Sequence, residues 1–190
     1  ARFFINGVDT ETQGVDVVLN FPLVTDAAGR FDFTLTGNYN ETDVTRVPTT
    51  APLAAISPPP PLFDRINILT FQEGTPKDKY SAAVNWSRGT MGATLRAIRY
   101  GEVLDPGTSA ALDATLSAKT VADLEFRVEL FERFRVALGA ENVFDEYPDT
   151  LPVGVSNATN RNATGNTPFS NYSPFGRGGR FIYGRVNVRF

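Results

Sequence analysis

Carboxylates cluster at Asp145, Glu146 and Asp149. A pair of acids is what glycoside hydrolysis needs, one to protonate the leaving oxygen and one to stabilise or activate on the other side. Here Asp145 closes a β-strand pattern and the other two open the loop after it, so catalysis is set aside. Gly176-Arg-Gly-Gly179 has the composition of a nucleotide-phosphate loop, but no βαβ pattern follows it. Five Asn-x-Ser/Thr triplets, such as Asn40-Glu-Thr42 and Asn171-Tyr-Ser173, are expected by chance in a polar-rich chain. The chain has no Cys and no His. That excludes disulfides, a Ser-His-Asp or Cys-His relay and any usual zinc site within it. The chain is therefore read as a non-enzyme with no catalytic residue, cofactor or metal.

The most regular charges are Asp123, Glu125, Arg127 and Glu129. They alternate with Ala122, Leu124, Phe126, Val128 and Leu130. A period of two means a strand with unlike faces. The closing segment, Phe181-Ile-Tyr-Gly-Arg-Val-Asn-Val-Arg-Phe190, repeats the pattern. Five further strands are expected near Phe3–Phe21, Arg30–Val44, Lys79–Ser87, Thr90–Val103 and Phe134–Phe144. A turn is expected at Pro22–Gly29, and a bulge at Ile98-Arg99-Tyr100, where the phase is lost. Asp16, Asp32, Arg96, Asp123, Glu125, Arg127, Glu129, Arg135, Glu141, Arg185 and Arg189 fall on polar faces. Arg127 and Arg135 stand beside Glu125, Glu129 and Glu141, so they can pair across two strands, as buried charges require.

The connections alternate in length. Ser87-Arg-Gly-Thr90 and Phe131-Glu-Arg-Phe134 are tight, whereas Arg46–Lys77 and Tyr147–Gly178 run to about thirty residues each. The link from Asp105 to Leu112 is intermediate. Antiparallel pairing then puts every tight turn on one rim and every longer loop on the other. The long loops are polar, and Pro58-Pro-Pro-Pro61 forbids a central strand. The polar run Val155–Asn166 is either ligand-contacting or solvated spacer.

Composition allows two classes. With 190 residues, 42% hydrophobic residues and a mean hydropathy of −0.17, the chain looks soluble. A membrane barrel gives the same average, because only alternate residues face lipid. A soluble β-sandwich also alternates. The strands, however, are long beside the soluble mean of about five or six residues. Aromatics also sit near their ends, at Phe21, Phe31, Tyr39, Tyr80, Trp86, Phe131, Phe134, Phe144 and Phe190, where interfacial girdles would put them. The net charge of −3 and a pI near 5.0 argue against a nucleic-acid partner. The expected fold class is all-β: an antiparallel transmembrane β-barrel segment of about seven long strands, with short periplasmic turns and long extracellular loops.

Ala140-Glu-Asn-Val-Phe-Asp-Glu-Tyr-Pro148 resembles the ENLFD-x-x-Y signature of TonB-dependent outer-membrane receptors, matched at Asn142, Val143, Phe144, Asp145 and Tyr147. Phe4-Ile-Asn-Gly-Val-Asp-Thr-Glu-Thr-Gln-Gly-Val-Asp-Val17 resembles an N-x-x-D-T-x-T-x-G-x-D strand of that family. Ser173–Phe190 resembles its closing strand, with Ile182, Gly184, Val186, Val188 and Phe190 matching the terminal signal read by the barrel-assembly machinery. The resemblance implies a barrel of 22 strands plugged by an N-terminal domain. Residues 1–190 would be the C-terminal portion of the barrel, with the plug and N-terminal strands absent. It implies transport of a scarce nutrient, such as a siderophore or other large solute, energised by TonB through the absent plug. The implied partners are outer-membrane lipid, TonB, the assembly machinery and an unidentified ligand met first by the loops around Val47–Pro76 and Pro152–Arg177. The implied location is the bacterial outer membrane. On this reading Asp123, Glu125, Arg127, Glu129, Arg135 and Glu141 face the lumen. The alternative is a small self-contained outer-membrane barrel with a passive-pore or structural role.

Overall fold

The computed structural model describes residues 7–49, 51–59, 61–151 and 168–189. Seven strands form one antiparallel sheet: β1 (Asp9–Thr25), β2 (Gly29–Arg46), β3 (Asp78–Arg88), β4 (Met91–Tyr100), β7 (Lys119–Leu130), β8 (Phe134–Glu141) and β9 (Phe181–Val188). They pair in chain order, and β1 and β9 are the edges of an open sheet. Two short strands, β5 (Val103–Asp105) and β6 (Ala114–Leu116), form a hairpin of their own around a 3-10 turn at Ala110–Leu112.

Apart from a register shift at Asp9/Thr10, at the far end of the β1–β2 pair, the registers carry the alternation from edge to edge. Opposite residues in an antiparallel pair share a face. Phe21, Phe33, Val84, Leu95, Leu124, Ala140 and Ile182 form one such cross-sheet row. Thr36, Ser81, Ile98 and Val121 start the row on the other side. Phe21, Leu95, Phe126, Leu138, Ile182 and Val186 stand exposed on the apolar face, Ile182 at 72%. The chain exposes 12543 Å² at 20.7 kDa, where a compact monomer of that mass would expose about 8,900 Å². The sheet therefore keeps its apolar side uncovered.

The sequence placed several boundaries differently. Pro22 lies inside β1, opposite Asp32, and the turn shrinks to Asp26–Ala28. The expected bulge at Ile98-Arg99-Tyr100 is not there: both neighbours hold register through these residues. Arg99 keeps its place on the apolar face by pairing with Asp78 and lying 5.9 Å over the Tyr80 ring. The sixth expected strand ends at Glu141 rather than Phe144, because Asn142 turns left-handed at φ 51°. The expected start at Phe3 lies outside the described residues.

All three tight turns lie on one rim, and the connections at 47–77, 101–118 and 142–180 lie on the other. The connection at 47–77 is not wholly irregular. It holds a short helix α1 (Ala51–Ala54) and α2 (Arg65–Glu73), whose first turn is capped by the Asp64 carboxylate accepting from the Asn67 N–H at 2.9 Å. No helix among the described residues is long and apolar enough to cross a membrane.

Candidate functional site

Two neighbouring regions combine polar chemistry with defined geometry: the polar face of the sheet, and a folded cap on its long-connection rim. The sheet's spacing positions the first. Asp123, Glu125, Arg127, Glu129, Arg135 and Glu141 all fall on the polar face, together with Arg96 and Arg185. Arg96 holds Asp123 through two hydrogen bonds, at 2.8 and 2.5 Å. Glu125 accepts from the Tyr183 hydroxyl and from Arg185, each at 2.9 Å, and lies 3.8 Å from Arg127. Arg127 donates to the Thr94 hydroxyl at 2.7 Å and to Asn85. Arg135 and Glu129 meet across β7 and β8 at 3.2 Å. Of the pairings expected between β7 and β8, only Arg135 with Glu129 forms as drawn, since Arg127 turns towards β4 and β3.

Glycine makes this network possible. Gly139 stands between Glu125 and Tyr183 in one cross-strand row, and its missing side chain leaves room for the Tyr183 ring to lie flat on the sheet. A Cβ at Gly139 would sit within the space of that ring. Tyr183, Asn85 and Thr94 were not singled out from the sequence. The signal that could have found Tyr183 is an aromatic residue at a polar-phase position.

The five signature residues sit where β8 ends. The Asn142 side chain donates to the Glu146 carbonyl at 2.7 Å and accepts from the Glu146 N–H at 2.9 Å. Its own N–H donates to Asp123 at 2.9 Å. The Val143 N–H continues the sheet to the Ala122 carbonyl at 2.7 Å. Asp145, at φ 61°, accepts from the Arg180 N–H at 2.7 Å and so fixes the entrance to β9. Tyr147 stacks on Phe169 with ring centroids 5.9 Å apart, and Phe144 is 74% exposed. Asp149 accepts two hydrogen bonds from Ser117 at 2.6 Å and pairs with Lys119 at 3.2 Å. Burial pushes the Asp149 carboxyl up, but the bonds from Ser117 and Lys119 outweigh it and hold the pKa below the ordinary carboxylate value. These acids fix chain geometry.

On β9, Ile182, Gly184, Val186 and Val188 lie on the apolar face opposite Ala140, Leu138, Val136 and Phe134. The Arg189 N–H donates to the Arg133 carbonyl at 2.9 Å, and Phe190 lies outside the described residues.

The cap gathers parts of all three long connections. Val103, Ala114, Leu116 and Leu151 are buried together, with Tyr172 packed on them. Asp105 and Ser170 are fully buried and joined at 2.6 Å. From α2, Arg65 forks onto Asp113 at 2.8 and 2.6 Å and reaches the Gly107 carbonyl at 2.6 Å. Thr70 meets the Tyr172 hydroxyl at 2.8 Å. Ligand contact by the polar run Val155–Asn166 falls outside the described residues.

No family model matches the sequence, and no curated protein is similar to it. The fold does have likenesses among solved structures. A mutant of the ferric enterobactin receptor PfeA of Pseudomonas aeruginosa superposes with a TM-score of 0.58 at 15% identity, over 94% of this chain and 22% of that one. A second PfeA mutant gives 0.58 at 14% identity, over 93% and 22%. The ferripyoverdine receptor of the outer membrane of Pseudomonas aeruginosa, bound to ferripyoverdine, gives 0.56 at 11% identity, over 96% and 20%. The chain thus shares the fold of part of these receptors and spans about a fifth of their length.

Proposed function

We propose that this chain is the C-terminal part of the barrel wall of a TonB-dependent outer-membrane receptor. The observation that carries this reading is the two-faced register. Seven strands expose one apolar face and gather most of the charges on the other, with every long connection on one rim. Lipid would cover the apolar face, and the charges would line the interior against a plug contributed by another part of the protein. The cap would lie outside the cell and meet the solute first. A ferric siderophore is the solute class the structural likenesses favour, and TonB acting on the plug would supply the energy. The last strand, β9, would carry the signal read by the barrel-assembly machinery.

The test compares two arginines of opposite phase in the intact receptor. Phe126→Arg puts a cation into hydrocarbon, at a cost of about 2–4 kcal/mol near the bilayer midplane. Thr36→Arg adds the same side chain to the polar face of β2, where it stays in water. Heat-modifiable mobility of outer-membrane fractions should show the first variant failing to assemble and the second assembling normally. Equal assembly of both would remove the transmembrane reading.

A further inference from the structure

Residues 173–179 cross the polar face beneath the cap as a strap. Both ends are fixed. At one end Tyr172 is tied to Thr70, and the Ser173 hydroxyl donates to the Phe175 carbonyl at 2.9 Å. At the other, Gly179 sits in the left-handed region at φ +66° with the Tyr147 hydroxyl and Asp145 carboxylate against it, and the Arg180 N–H is bonded to Asp145. The middle differs. A Cβ built on Gly176 or Gly178 meets nothing within 4 Å, and neither residue has a positive φ. Space does not demand glycine there; what glycine supplies is backbone freedom. Between the two glycines Arg177 donates to Asn171 of the same connection at 2.8 Å, and the Phe175 ring ties the stretch to the wall by stacking on Tyr100, with centroids 5.8 Å apart. Beneath it is a cavity of about 250 Å³ lined by Arg96, Ile98, Asp123 and Glu141.

We propose that Phe175 is a latch. The strap swings about Gly176 and Gly178 between this closed arrangement and an open one that admits solute to the cavity. The inference rests on the polar face being the interior of a closed wall, so the test must separate the two ideas.

This chain has no cysteine, so in a cysteine-free form of the intact receptor Ile98→Cys reports access beneath the strap. Its labelling rate with a small polar maleimide is measured in outer membranes. Phe175→Ala should raise the rate about fivefold, the scale of one lost ring stack. Pro at both Gly176 and Gly178 should lower it. Heat-modifiable mobility shows that each variant is assembled. Equal rates in all assembled backgrounds, slow or fast, overturn the latch. Leu35→Cys, on the apolar face, separates the premise: rapid labelling there as well would overturn the closed wall along with the latch.

Discussion

Asn142 ends β8 with one side chain, because its amide serves as both donor and acceptor for the Glu146 backbone while φ is 51°. Asn enters the left-handed region more readily than most residues. Asn142→Ala loses both bonds and strains the backbone, at a cost of about 2–3 kcal/mol. Asn142→Gly relieves the strain but not the bonds, and should recover about 1 kcal/mol of that loss. Denaturant midpoints of the refolded receptor check the order. Gly139 gives a second prediction. Gly139→Ala should destabilise the wall by displacing Tyr183 from Glu125, and adding Tyr183→Ala should make that change nearly neutral. A double-mutant cycle that came out additive would mean the ring does not depend on the glycine. Arg135 and Glu129 are half-exposed, so their pairing contributes at most about 1 kcal/mol where water reaches it.

Among the elements, the long strands were legible because alternation over eight or more residues leaves little else to fit. Their ends were not. Pro22 looked like a turn residue, but it stays in β1 opposite Asp32, and the turn begins only at Asp26. Arg99 looked like a bulge because its charge falls on the apolar face, and the sequence does not show that Asp78 and Tyr80 wait beside it. The cap was missed for a different reason. Its strands β5 and β6 are three residues each, too short for a period to register, and its core residues come from three separate connections. The Asp64 cap of α2 was a readable start signal hidden by the preceding prolines. The junction of the β6 end with Asp149 should respond to acid. The folded Asp149 pKa is depressed, so its bonds to Ser117 and Lys119 contribute stability that is complete above the unfolded value of about 3.9. That stability is lost as pH falls through the folded value. Hydrogen exchange at Ser117 should therefore quicken as pH drops below about 4, after correction for intrinsic rates. In Asp149→Asn the pH dependence should vanish.

At the scale of the whole molecule, what could be read ahead of the structure was the two-faced wall and the sorting of connections by rim. Both follow from local pattern plus antiparallel pairing. The polar network and the cap could not be read, because each depends on contacts between residues far apart in sequence. One feature of the wall carries further. Its strands do not stop at one height: β2 pairs with β3 only as far as Tyr39, while β1 and β2 stay zipped up to Asp9 and Arg46. Seven residues at about 3.4 Å each extend this ribbon roughly 24 Å beyond its pairing with β3. In the receptor reading it stands like a palisade on one flank of the cap. In that reading a large particle approaching the cell from that flank would meet the ribbon as well as the cap.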